Sequence, residues 1–414
     1  MSRPRIRAQN SGDSGNPWPA RYNADKETRG APPPARRLVA FRDPAVIEAG
    51  VDLDARIERT PDIPAVFLIW PREGSPYLAR TSLLRRRLKR LLGERAGASR
   101  LLNLRPLAHR IEYWSAGSRL EAMLIHYQLA VRHFPDKYLE LLKLRMPPYV
   151  KVTLANPFPR TYVTTRLGSG NGLYYGPFRN RASAELFESQ VLELFQIRRC
   201  LEDFVPSPDH PGCIYGEMNK CMRPCQQLVS AGEYRGEVDR VVAFLETGGR
   251  SLIDPLEAAR ERLSLELRFE DAAREHRQID KIQEVLRLRD ELACDIGRLN
   301  GIAVTPSGEA GAVELWLVLA GCWQPPIRFG FEVVEGKTVS IDHRLREIVA
   351  SIEAKRLDLQ TRQEHLALLA RWNYSSWRDG EWLGFAGFDQ VPYRKLVRAI
   401  SRQTVKPGEP AAAS

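Results

Sequence analysis

The sequence predicts a mixed α+β protein assembled from several modules. Three observations lead there. Short apolar runs of strand type alternate with segments whose leucines recur at helical spacing. One stretch between helical segments has no hydrophobic period and is dense in Cys, Pro and Gly. The length of 414 residues exceeds what a single hydrophobic core organises. Hydrophobic residues make up 43% and charged residues 27%, the balance of a folded chain rather than a disordered one. The formal net charge of +11 directs the surface towards polyanions, nucleic acid first. No apolar run approaches the roughly 20 residues of a membrane span, and the N-terminus has no signal-like apolar segment, so a cytoplasmic protein with no membrane partner is expected. Six cysteines are too few for a disulfide scaffold of this size, and clustered thiols in a reducing compartment point to metal binding.

Residues 1–45 read as a disordered basic tail, rich in Pro, Gly, Ser and Arg. A small mixed domain follows over 46–145. Residues 65–70 and Tyr77-Leu78, separated by a Pro/Gly turn, form a hairpin. After Thr81-Ser82 as a capping pair, Leu84, Leu88, Leu91 and Leu92 line one stripe of a helix whose other faces carry Arg85, Arg86, Lys89 and Arg90, with Gly93 as its stop. A second helix, 118–133, opens on Ser118 with Glu121 at capping-box spacing and is apolar on most faces, hence buried. In the module 146–250, strands are expected at 149–154, 160–165 and 174–178 and a helix at 183–196. The stretch 199–225 must be ordered by something other than apolar burial. Residues 251–290 read as a helical hairpin. The last module, 291–414, is an α/β unit with strands at 301–304, 312–319 and 327–334 and one long helix from Asp342 to Trp372.

The motifs in this order resemble a known family. Ala65-Val-Phe67 with Tyr77-Leu-Ala79 ten residues on, followed by an Arg-rich helix, looks like a GIY-YIG nuclease domain. Glu121-Ala-Met-Leu-Ile, Phe158-Pro-Arg, Tyr174-Tyr-Gly-Pro, Phe195-Gln-Ile-Arg-Arg-Cys200, Cys221-Met-Arg-Pro-Cys225 and Phe269-Glu-Asp-Ala-Ala273 continue in the register of the UvrC family of the excinuclease ABC system. The resemblance implies a DNA-binding protein of nucleotide excision repair acting on damaged double-stranded DNA. It also implies phosphodiester hydrolysis with one divalent metal, Mg²⁺ or Mn²⁺, if the site is active. Carried over by position, the candidate catalytic residues are Tyr77, Arg80 in place of a lysine, and Arg87. Phe67 and Leu91 stand where the family has tyrosines, and His126 stands where it has the metal-binding glutamate. Losing the carboxylate weakens Mg²⁺ binding, because imidazole suits Mn²⁺ or Zn²⁺ better. The incision site is therefore expected to be degenerate, the alternative being an active endonuclease making a single 3′-type incision with a softer metal on His126. Each residue also has a structural reading: Arg87 as a snorkelling arginine, His126 as a core histidine, Tyr77 as packing.

Four cysteines fall as Cys200-x12-Cys213-x7-Cys221-x3-Cys225. Four thiolates suit a [4Fe–4S] cluster or a structural zinc, and the resemblance implies the cluster. Arg198, Arg199, Lys220 and Arg223 beside them would support the thiolates or face phosphate. Cys294 and Cys322 read as buried residues. The hairpin 251–290 resembles the UVR motif through which the family engages the excinuclease protein UvrB, with Leu263, Leu265, Phe269, Ala272, Ala273, Ile279 and Ile282 offering apolar surface to a partner. In 291–414 no carboxylate set and no paired glycine hairpins suggest the family's RNase H-like and helix-hairpin-helix domains. There Trp372, Tyr374, Trp377 and Trp382 among Arg371, Arg378, Arg394 and Lys395 read equally as a DNA-stacking surface or as core.

Overall fold

Ala65–Trp70 is apolar throughout, and a strand without polar alternation needs cover on both faces. In the computed structural model, which describes residues 43–50, 52–94, 102–309, 311–330, 333–334, 337–338, 340–352 and 357–404, it has that cover. The tail expected for 1–45 lies outside the described residues except for 43–45, and Ala45 already opens a strand. Strands β1 (Ala45–Glu48), β2 (Ala65–Trp70), β3 (Tyr77–Thr81) and β4 (Arg110–Ser115) form an antiparallel sheet in the order β1-β4-β2-β3. Helices α1 (Leu53–Arg59) and α2 (Leu84–Leu92) cover one face, where Ala65, Phe67 and Ile69 meet Leu84, Leu88, Leu91 and Leu92. Helix α3 (Arg119–His133) covers the other, setting Ala122, Ile125 and Leu129 against Val66 and Leu68. The cap of α2 is Leu83 rather than the expected Thr81-Ser82 pair; the Leu83 amide donates to Thr81 Oγ1 at 3.1 Å. At α3 the Ser118 hydroxyl accepts from the Glu121 amide at 3.0 Å, and the Glu121 carboxylate accepts from Gly117 at 2.7 Å.

After the short α4 (Tyr138–Leu142) comes a second antiparallel sheet, β5 (Tyr149–Val152), β6 (Thr161–Thr164), β7 (Leu173–Gly176) and β8 (Cys294–Asp295), in the order β6-β5-β7-β8. Its last strand returns from beyond the helical hairpin. Helix α5 (Arg181–Leu192), the single turn α6 (Ile214–Glu217) and α7 (Ala231–Thr247) precede the hairpin α8 (Arg250–Leu265) and α9 (Phe269–Arg287). Sequence reading assigned nothing to 231–247, although Ser230 and Glu233 make a complete capping box and Gly248, at φ 62°, closes the helix in the left-handed conformation glycine favours. Tyr234, Val238, Val241, Phe244 and Leu245 of α7 fill the core over this sheet.

The third sheet is built from β9 (Asn300–Pro306), β10 (Ala312–Leu319), β11 (Cys322–Trp323), β12 (Ile327–Gly330) and, after the short pair β13 (Val333–Val334) and β14 (Lys337–Thr338) and helices α10 (Ile341–Ala350) and α11 (Leu359–Asn373), β15 (Glu381–Phe385). Helix α12 (Tyr393–Thr404) ends the described chain. The single helix expected from Asp342 to Trp372 is two, because Asp358 caps α11 by accepting from the Thr361 amide at 3.0 Å. The strand expected at 327–334 likewise appears as two short strands.

Helix α11 packs on α3, so the last sheet's core is continuous with the first module's. Glu364 of α11, fully buried, accepts hydrogen bonds from the hydroxyls of Tyr127 and Tyr138, the latter at 2.6 Å, and from Gln360 Nε2 at 3.1 Å. Removing that carboxylate takes the shared acceptor from two buried hydroxyls. Glu364→Ala should destabilise the chain by about 2–5 kcal/mol, read as a lowered denaturant midpoint, whereas Leu141→Ala on the exposed side of α4 should leave the midpoint near wild type.

Candidate functional site

The candidate catalytic residues are divided by the pleat of β3. Tyr77 and Ala79 face α2, while Leu78 packs with the α3 side of the sheet, the alternation expected of a strand. Tyr77 and Arg87 meet, with the Arg87 guanidinium donating to the Tyr77 hydroxyl at 3.4 Å, and Arg87 Nε is buried without a partner. Around them the face is apolar: Phe67, fully buried, lies 6.3 Å from the Tyr77 ring, and Leu91 is buried in the same cluster. The two positions without the family's hydroxyls are thus packed core.

Arg80, one residue beyond Ala79, is placed by the same alternation on the α3 side, next to Val66 of β2. His126 on α3, half-buried, lies one turn from Ala122 and Leu129 of the sheet-facing stripe. Burial first, then the charges of Arg80 and Arg371, push its imidazole down to about 4. Arg80 is exposed, yet desolvation by surrounding protein and the like charge of Arg371 hold it below the ordinary arginine range. Arg371 is contributed by α11 and donates to the Leu142 carbonyl at 2.8 Å. Among the described residues no carboxylate figures in the charge environment of His126 or Arg80. One imidazole in the field of two arginine charges does not fit a divalent cation, which wants oxygen ligands and negative charge.

In the cysteine segment the ordering principle is a buried arginine. Arg198, 1% exposed, donates to the carbonyls of Phe158 at 2.8 Å and Glu202 at 2.7 Å, approaches Cys200 Sγ at 3.7 Å, and stacks on Phe204. Its own amide donates to the Tyr234 hydroxyl, which in turn donates to the Pro159 carbonyl. Arg199 and Lys220 both pair with Glu193, and Arg223 donates to the Gly216 carbonyl. These four cations, expected to support thiolates or face phosphate, are largely spent on holding the loop; only Arg198 reaches a cysteine sulfur through its side chain. Cys221 and Cys225 are buried, Cys200 half-buried and Cys213 exposed. Burial, reinforced by Cys200, Cys213 and Cys225, pushes the Cys221 thiol up to about 11, and the Cys225 thiol moves the same way. The four sulfurs therefore share one electrostatic neighbourhood and fit a thiolate-bound group in donor chemistry. They do not stand as a closed set: among the described residues no three His, Cys, Asp or Glu side chains are gathered to hold a metal ion. Cys322 is buried, as expected, whereas Cys294 is half-buried at the edge of the core, where desolvation pushes its thiol up to about 12.

The C-terminal aromatics are core. Trp372 and Trp382 are buried, Trp377 and Tyr374 pack against the same cluster, and the Tyr374 hydroxyl donates to the Pro177 carbonyl at 2.9 Å. Arg378 pairs with Glu291. On the helical hairpin Ala272, Ile279 and Ile282 are buried, Ile282 in the protein's own core, which corrects their assignment to a partner surface; α9 buries one face against neighbouring helices. The tip is different: Leu265, Leu267 and Phe269 are 85%, 74% and 63% exposed.

Residues 147–244 match the family model of the UvrC/Cho excinuclease middle domain. The chain is similar to UvrABC system protein C of Lachnospira eligens, 25% identical over 294 residues, covering 70% of this chain and 48% of that protein. It is similar also to the proteins of the same description from Dehalococcoides mccartyi, 27% identical over 65% of this chain and 44% of the relative, and from Moorella thermoacetica, 27% identical over 63% and 42%. The chain spans less than half the length of these relatives. No solved structure matches it. No helix among the described residues is long and apolar enough to cross a membrane.

The environment of His126 sets a pH dependence. Its folded value of about 4 lies below the ordinary 6.5, so the unfolded chain takes up a proton across that window which the folded chain refuses. Its contribution is intact above 6.5 and declines as pH falls towards about 4. His126→Gln should flatten this fall, measured as denaturant midpoints at about pH 7 and about pH 5; His133 and His365, pushed down chiefly by burial, supply a remaining slope of the same sign.

Proposed function

We propose that the chain is a DNA-binding protein of nucleotide excision repair, related to UvrC, whose 3′-type incision site is degenerate. The observation that carries this reading is the setting of His126 on the α3 side of the sheet with Arg80, where it feels the like charges of Arg80 and Arg371 and, among the described residues, no carboxylate offsets them. Phosphodiester backbone can be held by such groups; a divalent metal is repelled by them. Packed Phe67 and Leu91 remove two hydroxyls from the other face of the sheet. A second reading, an active metal-dependent endonuclease using Tyr77, Arg80, Arg87 and His126, is favoured by the surviving Tyr77–Arg87 contact and the unpartnered Arg87 Nε.

Purified full chain incubated with damaged duplex and Mg²⁺ or Mn²⁺ separates the two. The degenerate site predicts no nicking above that of Arg87→Ala; metal-dependent nicking lost in Arg87→Ala establishes the second reading. The DNA-binding part is tested by affinity against salt, which should fall steeply.

In this reading Cys200, Cys213, Cys221 and Cys225 would hold a [4Fe–4S] cluster, with structural zinc as the other thiolate-bound candidate. Anaerobically purified chain should absorb in the visible and contain iron and sulfide, and Cys221→Ser should bleach it; a colourless protein containing zinc would exclude the cluster. The exposed tip residues Leu265, Leu267 and Phe269 support an apolar contact with a UvrB-like partner through the 251–290 hairpin. The setting is the cytoplasm.

A further inference from the structure

We propose that Arg80, His126 and Arg371 form a phosphate seat for the nucleic-acid backbone, completed by the C-terminal unit. The proposal deepens the reading of the chain as a DNA-binding protein and rests on it.

Three elements from different parts of the sequence converge there. β3 carries Arg80 on its α3 side, α3 crosses that side with His126, and α11 packs on α3 and supplies Arg371. The Arg371 guanidinium is steadied by its 2.8 Å hydrogen bond to the Leu142 carbonyl at the end of α4. That bond accounts for one nitrogen of a five-donor guanidinium. Arg80 stays exposed, so the cluster is reachable from solvent.

Its electrostatics lack compensation. Two like charges held close without a counter-charge are unfavourable, and the arginine cluster gains most from an anion placed between its members. Elsewhere arginines are matched by carboxylates: Arg105 with Asp54, Arg328 with Glu314, Arg378 with Glu291, Arg402 with Glu381. Neither Arg80 nor Arg371 has a carboxylate partner among the described residues. His126, one turn from Ala122 and Leu129 on the sheet-facing side of α3, brings an imidazole N–H donor to the same anion. A phosphodiester oxygen needs such donors, and a groove of guanidinium groups is how proteins hold DNA backbone without reading its bases.

The experiment is a fluorescence-anisotropy titration of the full chain with a labelled mixed-sequence duplex, in EDTA, at several KCl concentrations. Arg80→Gln and Arg371→Gln should each weaken binding about three- to tenfold and reduce the slope of log affinity against log salt by about 1. Arg80→Lys should restore the slope. Because Arg80 is exposed, its variants are expected to melt with the wild type, which guards against a folding artefact. Wild-type affinity and slope in Arg80→Gln would overturn the seat while leaving DNA binding intact. A wild-type chain without salt-dependent binding would overturn both. Binding that disappears in EDTA and returns with Mn²⁺ would also overturn the seat, because the phosphate would then be reached through a metal.

Discussion

Helix α3 is pressed from both sides, and much of the structure depends on that. Ala122, Ile125 and Leu129 serve the first sheet, while Leu120, Met123, Leu124 and Tyr127 serve the core shared with α11 and the last sheet. A helix so enclosed keeps little solvent face for polar groups, chiefly at its ends, where Arg119 and Arg132 are exposed. Polar groups on its buried faces find partners inside, as the Tyr127 hydroxyl does on the Glu364 carboxylate, which also takes the hydroxyl of Tyr138 from α4. Such a buried carboxylate with several donors contributes less to net stability than to specificity, since it fixes how α3, α4 and α11 register against one another. His126 inherits its low basicity from the same enclosure.

The cysteine loop solves a different problem. It has few apolar residues to bury, and Leu201, Val205, Ile214 and Met218 remain exposed. Its order comes instead from the buried guanidinium of Arg198, which ties together the carbonyls of Phe158 and Glu202, and from the Arg199–Glu193–Lys220 network. A planar five-donor group can satisfy several carbonyls at once, where a lysine could not match its geometry.

Local chemistry in the sequence was enough to place many elements. The leucine stripe of α2, the Ser118 cap and the apolar runs of β2 and β10 each announce their structure within a short window. The misses have physical causes. The break between α10 and α11 turns on one aspartate, Asp358, whose capping bond is invisible to a periodicity count. Strand β8 is two residues long and exists only because β7 is there to pair with it. Of the candidate site, Tyr77 and Arg87 were named through the family resemblance, and their contact is seen only once helix α2 is laid on the hairpin. Arg371 was not legible as part of it, because its relation to His126 depends on α11 folding back across more than two hundred residues of chain. The tryptophans near it carried no signal separating core from surface until Trp372 and Trp382 were seen buried.

The pleat of β3 gives the module a property of its own. Because Tyr77 belongs to the α2 face and Arg80 to the α3 face, the two sets of polar groups are insulated from each other by a layer of β2 side chains, Phe67 on one side and Val66 on the other. Substitutions can accumulate on one face without disturbing the packing of its reverse. The strand is a partition between two chemistries: the Tyr77–Arg87 contact lies on one of its faces, Arg80 on the other, and a change at one need not be felt at the second.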